Sequence, residues 1–239
     1  MKTSPTLVSI LFLALASFSL AGPFDKSPEK LDQKIRAAKV RLDTIQATER
    51  RIPAFVLQNA KGIIMLHQVK AGFGIGGQAG GGVALVKDAN GNWGTPAFVA
   101  SAEASWGLQI GAQESTIFLV LMDNAGLKIL SDARIGIGVD IQASAGPADV
   151  GGDAKIDNID SPVLVYSDSG GLFAGAAFEG GGIVPAKKNN AIYYGESLQQ
   201  ILFKGAGRRT ASGQALIDRL NRYMGVVPKP AATATPVKS

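Results

Sequence analysis

The sequence predicts an α+β fold: a twisted antiparallel β-core, barrel- or sandwich-like, with an amphipathic helix before it and helices after it. Three observations carry that expectation. Residues 31–45 repeat apolar side chains at helical steps, residues 63–184 hold many short apolar runs punctuated by glycine, and residues 197–225 return to helical spacing. The 239 residues suit a single domain able to bury one core. The 30 glycines exceed the usual share of about 7% and sit inside apolar segments, which suits tight turns and close backbone approach.

Taken in order, Met1 and Lys2 precede an uncharged apolar run over residues 7–20, closed by Ser19-Leu20-Ala21. The run falls short of the roughly 20 apolar residues a membrane span needs. Residues 1–21 are therefore expected to be a cleaved signal peptide, which makes the protein exported, periplasmic or secreted. The domain is expected over residues 22–225. Residues 226–239, rich in Pro, Ala and Thr, are expected to be a disordered tail. The chain has no cysteine, which removes disulfides, thiolate nucleophiles, zinc–thiolate sites and iron–sulfur clusters.

Ser27-Pro28-Glu29 reads as an N-cap, a proline at the first helical position and an acid near the helix dipole. Leu31, Ile35, Ala38, Leu42 and Ile45 then form one stripe. A second helix is expected over 53–61, stopped by Gly62. Strands are expected at 63–66, around Phe73 and Ile75, and at 83–86, with a hairpin turn at Asp88-Ala89-Asn90-Gly91. Further strands are expected at 96–101, 108–112, 116–121, 135–143, 163–166, 172–178 and 181–184. Asp123 is expected to cap a helix ending near Leu130, residues 197–203 to form a short helix, and Ser212 to cap a last one ended by Gly225.

The charge is concentrated. Of the formal +5, residues 26–51 hold eight bases and four acids, whereas fifteen bases and fourteen acids follow from residue 52. Lys30, Lys34 and Arg41 border one side of the apolar stripe and Lys39 the other, the layout of an interfacial membrane helix and equally of a helix packed on a sheet. The region points to an anionic surface. It holds no aromatic residue to stack bases, so a nucleic-acid partner is not expected.

Motifs for catalysis do not assemble. Gly72, Gly74 and Gly77 spell G-x-G-x-x-G but lead into a strand-like run, not a helix, so a structural ribbon is expected and no nucleotide cofactor. His67 is the one histidine and no G-x-S-x-G elbow is present, so it reads as an ordinary histidine beside a strand. Asp149, Asp153, Asp157 and Asp160 crowd one stretch without the spacing of a calcium loop, so no metal is expected. No enzymatic activity is expected.

The ordered motifs resemble the SYLF family. They are Ala60-Lys61-Gly62-Ile63, Lys70-Ala71-Gly72-Phe73-Gly74-Ile75-Gly76-Gly77, Trp93-Gly94-Thr95-Pro96-Ala97-Phe98 and Gly107 to Gln113. Ala145-Gly146-Pro147, Tyr166-Ser167, Gly171 to Gly175, Phe178-Glu179-Gly180 and Tyr194-Gly195 complete them. The resemblance spans about residues 28–225. It implies a non-catalytic domain that binds lipids, notably phosphoinositides, through its N-terminal region, in a family whose eukaryotic members also bind actin. Carried to an exported bacterial chain, it implies peripheral association with anionic phospholipid such as phosphatidylglycerol or cardiolipin, through Lys30, Lys34, Lys39 and Arg41, with Lys61 and Lys70 as weaker candidates. Leu31, Ile35, Leu42 and Ile45 would either enter the bilayer interface or pack on the core. The alternative is a protein partner docking on the same helix. Trp93, Phe98, Trp106, Phe173 and Phe178 are expected to fill the core, and Gln109, Gln113 and Glu179 to satisfy backbone groups at bends or line a pocket.

Overall fold

A computed structural model describes residues 27–132, 137, 140–147, 161–168 and 182–225; for 70–78 and 102–113 it describes the backbone alone. The expected signal peptide and tail, the aspartates at 149–160, the strand at 172–178, Phe173, Phe178 and Glu179 lie outside the described residues. So do the side chains of Lys70, Trp106, Gln109 and Gln113. In chain order the elements are α1 (Pro28–Gln46), α2 (Ala54–Asn59), β1 (Gly62–Val86), β2 (Ala97–Leu121), α3 (Asn124–Ser131), β3 (Ala143–Ala145), β4 (Val163–Ser167), β5 (Gly182–Pro185), α4 (Lys187–Tyr194), α5 (Leu198–Lys204) and α6 (Ala211–Tyr223). The fold is α+β, as expected, with a curled half-barrel sheet between helices.

The fragments expected as separate strands are two continuous ones. β1 and β2 each run 25 residues and pair antiparallel from Gly62–Leu121 to Ala84–Ala97. Drawn straight, such a strand would separate its ends by about 80 Å. Instead the Lys87 N–H donates to the Lys61 carbonyl at 2.9 Å. The ribbon is bent double. A register shift falls between Phe73 and Ile75, where Gly74 alone on β1 answers Gly107, Leu108 and Gln109 on β2, and extra residues on one strand bend a ribbon in this way. Where the two arms of β1 meet, Gly82 presses on the backbone of Met65, and a Cβ at Gly80 would lie 2.7 Å from the carbonyl oxygen of His67.

β4 adds to β2 at Ile117–Leu121 and β5 adds at Val99–Ala102, both antiparallel. β3 joins β4 in parallel, so the sheet is mixed and not wholly antiparallel. Both faces at the ribbon's arms are covered. Ile63, Met65, Val83, Leu85, Phe98, Phe118 and Val120 pack under α1, α2 and α6. Ile64, Leu66, Ala84, Val86, Val99, Ile117 and Leu119 pack against α3 and α5. Two-sided burial explains why these segments read as unbroken apolar runs rather than alternating ones. Trp93 and Phe98 are buried in the first cluster, as expected.

Local chemistry explains most element ends. The hydroxyls of Ser27, Ser197 and Thr210 and the Asp123 carboxylate each accept from a backbone N–H in the first turn of the following helix. At the hairpin, Asp88 accepts from the N–H groups of Asn90 and Asn92, both at 2.9 Å, and Gly91 takes φ 80°. Two expectations are corrected. Gly62 does not stop α2, which ends at Asn59; it opens β1, where a Cβ would crowd Leu127, Leu121 and the Leu85 carbonyl. Thr210, not Ser212, caps α6, because the Ser212 hydroxyl is turned to α1. Of the strand expected at 135–143, the described residues show an Ile137–Ile141 bridge, and β3 lies just beyond.

α4 was not expected. Its buried face carries Asn189 and Asn190 instead of an apolar stripe. Asn190 is fully buried and grips one residue: its Nδ2 donates to the Phe98 carbonyl and its Oδ1 accepts from the Phe98 N–H, both at 2.8 Å. Since β5 ends at Pro185 opposite Val99, this amide continues the ladder past the strand's last residue. Tyr194 donates to the Pro96 carbonyl at 2.6 Å, and Tyr193 stacks edge-on against Phe98.

Candidate functional site

α1 lies within the segment 26–51 that carries most of the chain's charge surplus, and its packing decides what that charge can do. Leu31, Ile35, Ala38, Leu42 and Ile45 are at most 4% exposed, so the apolar stripe belongs to the core. Of the two roles open to these side chains, the structure selects packing. The basic residues on the two borders have different fates.

One border faces α4 and α6. The Asp32 Oδ1 accepts from the Ser212 hydroxyl at 2.5 Å and the Tyr193 hydroxyl at 2.6 Å, while Oδ2 accepts from the Arg36 guanidinium at 2.7 Å. Three turns on, Asp43 accepts from the Tyr223 hydroxyl at 2.8 Å and lies 3.2 Å from Arg219 and 3.1 Å from Lys39. Both long-range pairs are 180 residues apart in sequence, so α1 and α6 run parallel in constant register. An eleven-residue step brings a helix back to nearly the same face, which is why two carboxylates can serve one partner helix. Lys39 is thus held by Asp43.

Burial acts to raise the Asp32 pKa, but the donors Ser212, Tyr193 and Arg36 outweigh it and hold the carboxyl below its ordinary value. Burial and the adjacent carboxylates push the Tyr193 and Tyr223 phenols up. A depressed carboxyl stabilises the fold above the unfolded chain's value of about 3.9, and that contribution is lost as pH falls through the lower folded value. Asp32→Asn is therefore expected to cost about 1–2 kcal/mol at pH 7, the difference between charge-assisted and neutral hydrogen bonds. Urea unfolding of both proteins at pH 7 and pH 3 checks this: the gap should narrow in acid.

The other border faces a shelf on the sheet. Lys30 is exposed and Lys34 partly so, while Arg41 is half-buried. Burial lowers the Arg41 pKa and the charges of Asp168 and Glu114 oppose it. Past the rim of the core, β1 offers His67 and Val69 opposite Thr116 and Glu114 of β2. The His67 Nε2 is 3.6 Å from a Glu114 oxygen, and its Nδ1 is buried with no hydrogen-bond partner. Asp168, just after β4, accepts from the Thr116 N–H at 2.8 Å, and its carbonyl accepts from Arg50 at 3.4 Å.

Of the six basic candidates, Lys30, Lys34 and Arg41 share this border, and Lys39 lies across the helix from it. The Lys61 ammonium donates to Asn124 at 2.9 Å, about 20 Å along β1 from His67. The side chain of Lys70 lies outside the described residues. Arg50, Glu114 and Asp168 belong to the shelf but were not singled out. Their only sequence signal was their charge, since the fold brings them together from segments far apart. Among the described residues no three His, Asp or Glu side chains group to hold a metal, and no helix is long and apolar enough to cross a membrane.

A bent ribbon covered on one face by the parallel helices α1 and α6, with a charged shelf on one flank, defines an α+β domain whose distinctive surface is electrostatic. Residues 102–223 match the model of the Ysc84 family, described as Las17-binding protein actin regulator, and the chain belongs to that family, the SYLF family its motifs resemble. It is 31% identical to Protein YSC84 of Saccharomyces cerevisiae over 177 residues, 72% of this chain and 38% of the yeast protein. It is 32% identical to SH3 domain-containing protein PJ696.02 of Schizosaccharomyces pombe, over 71% of this chain and 41% of that one. It is 28% identical to SH3 domain-containing YSC84-like protein 1 of Pongo abelii, over 79% of this chain and 57% of the relative. The chain thus spans about two fifths of the yeast relatives and just over half of the ape one. No solved structure matches it.

Proposed function

We propose that this domain is a binding module that associates with anionic phospholipid by charge alone, through the Lys30/Lys34/Arg41 border of α1 and neighbouring Arg50. The observation that carries the reading is the burial of α1's apolar stripe beside an outward basic border. Undocking α1 to insert Leu31, Ile35, Leu42 and Ile45 would uncover the core face they pack on, at about 1.5–3 kcal/mol for each large side chain left in water. Each base near an anionic bilayer returns on the order of 1 kcal/mol. Insertion loses that comparison, so contact is peripheral, reversible and salt-sensitive. For an exported chain the matching lipids are phosphatidylglycerol and cardiolipin.

Sedimentation with phosphatidylcholine vesicles, with and without phosphatidylglycerol, tests the reading. Binding is expected only with the anionic vesicles and is expected to fall with salt. Lys30→Ala/Lys34→Ala is expected to weaken it roughly 30-fold, from about 1 kcal/mol per charge. Lys39→Ala serves as the internal control, because that residue lies on the opposite border of α1, beside Asp43 and Arg219 of α6, and should bind nearly as the parent does. Absence of sedimentation at low salt overturns the lipid reading. The second reading, a protein partner on the same border, is favoured by the family's description as Las17-binding. It predicts saturable binding that needs no lipid.

A further inference from the structure

We propose that the end of α5 and the turn leading to α6, residues 203–208, form a second membrane contact, in which Phe203 enters the lipid interface while Lys204 and Arg208 hold anionic headgroups. The inference goes beyond the α1 border and stands on different residues. The near balance of charge after residue 52 is itself uneven. Residues 52–186 hold six bases and twelve acids, whereas residues 187–222 hold seven bases and two acids. Part of that second surplus is committed within the fold: Arg219 pairs with Asp43, and Arg209 donates to the Trp93 carbonyl at 3.3 Å. Lys204 and Arg208 are exposed, and among the described residues neither enters an ion pair.

Phe203 stands beside Lys204 and is 39% exposed, although Ile201 and Leu202 before it are buried. A lone exposed apolar side chain is ordinary on a protein surface. This one belongs to a braced turn between two bases. Gly205 and Gly207 take φ 68° and 92°, and the Ala206 N–H donates to the Gln200 carbonyl at 3.0 Å. Gly207 lies so close to the core that a Cβ there would meet the Tyr194 ring at 3.3 Å, and Arg209 ties the far end to Trp93. A turn fixed beforehand gives up little conformational freedom on binding. An aromatic ring among bases suits a lipid interface, where the ring takes the headgroup level and the bases meet phosphates; an acidic polypeptide would need the bases alone. The turn is also well placed. Asp32 bonds Ser212 at the start of α6, so the chain entering α6 lies toward the N-terminal half of α1, which carries Lys30 and Lys34. Two contacts on one domain reinforce each other, because the first raises the effective concentration for the second.

The test is sedimentation with phosphatidylglycerol/phosphatidylcholine vesicles of the parent, Lys204→Ala/Arg208→Ala, Phe203→Ser and Lys30→Ala/Lys34→Ala. The three turn positions are exposed, so thermal melts should stay close to the parent's. Removing the two turn charges predicts roughly 30-fold weaker binding, and Lys204→Arg should bind as the parent does. Phe203→Ser predicts a loss of about fivefold that added salt does not erase. Phe203→Trp places an indole at the contact, and its emission should move to shorter wavelength with anionic vesicles, beyond any change in the parent. Turn variants that bind as the parent does, beside a weakened Lys30→Ala/Lys34→Ala, overturn the second contact and leave the α1 border standing. Weakened turn variants beside an unimpaired Lys30→Ala/Lys34→Ala support the second contact and overturn the α1 border. Phe203→Ser that binds undiminished, or Phe203→Trp emission shifted equally by poly-glutamate, makes the turn a site for any polyanion and overturns the lipid contact. Absence of binding to every vesicle at low salt overturns both.

Discussion

Replacing Gly82 by alanine is expected to prevent folding. The new methyl carbon would overlap the carbonyl oxygen of Met65, and the atoms it meets are backbone, not the movable end of a side chain. Met65 is fixed by its pairing with Phe118 and by burial on its own face, so neither arm of the ribbon can retreat without separating the two halves of the sheet. The expected cost exceeds about 4 kcal/mol, a large part of the roughly 5–15 kcal/mol available to a domain. Far-ultraviolet circular dichroism and urea titration measure it. The comparison substitution is Gly91→Ala, at the hairpin: Gly91 has φ 80° and open space around it, so only the left-handed backbone penalty of about 1–2 kcal/mol applies. A Gly82→Ala protein that melts within a few degrees of the parent would remove the close crossing from the account of this fold.

The second large effect is expected at Asn190. Asn190→Ala leaves the Phe98 N–H without its acceptor in a buried site and opens a gap where the amide lay. A stranded buried donor costs about 1–3 kcal/mol and the lost packing adds to that, for a total near 2–4 kcal/mol. For a domain of this size the melting temperature should fall by roughly 5–12 °C. The adjacent asparagine sharpens the test. Asn189 is also buried, but its Oδ1 has no hydrogen-bond partner, so Asn189→Ala should cost clearly less. Equal losses at the two positions would mean that α4 tolerates neither change for reasons of packing alone, and the amide bridge to Phe98 would lose its special weight.

The parts of this fold governed by local chemistry were legible in the sequence. Ser27 before Pro28, Asp123, Ser197 and the Asp88–Gly91 turn act within a few residues of themselves, and each does what its side chain predicts. The ribbon was legible as strand but not as one strand. Glycines alternating with Phe73 and Ile75 look like breaks, and only pairing with β2 makes them continuous. α4 was invisible because Asn189 and Asn190 are poor helix formers; the stabilisation comes from Phe98, 92 residues away. The choice of Thr210 over Ser212 turned on Asp32, equally remote.

The candidate site divides in the same way. That residues 26–51 held the charge was plain, and the helical wheel placed Lys30, Lys34 and Arg41 together. Whether the stripe beside them was core or interface was open, because both use the same pattern. That Lys39 was already paired, and that Glu114, Asp168 and His67 shared the opposite shelf, depended on contacts no spacing encodes.

The constant register between α1 and α6 bears on how the chain reaches this structure. Asp32 and Asp43 meet Ser212 and Tyr223 across 180 residues, so a helix synthesised early waits for one synthesised late. Loop closure on that scale is opposed by entropy until the sheet between them is in place, which makes late docking of the two helices, rather than helix formation itself, the slow event. Until then α1 presents its aliphatic stripe to water, and the unfinished chain is the species most at risk of aggregation.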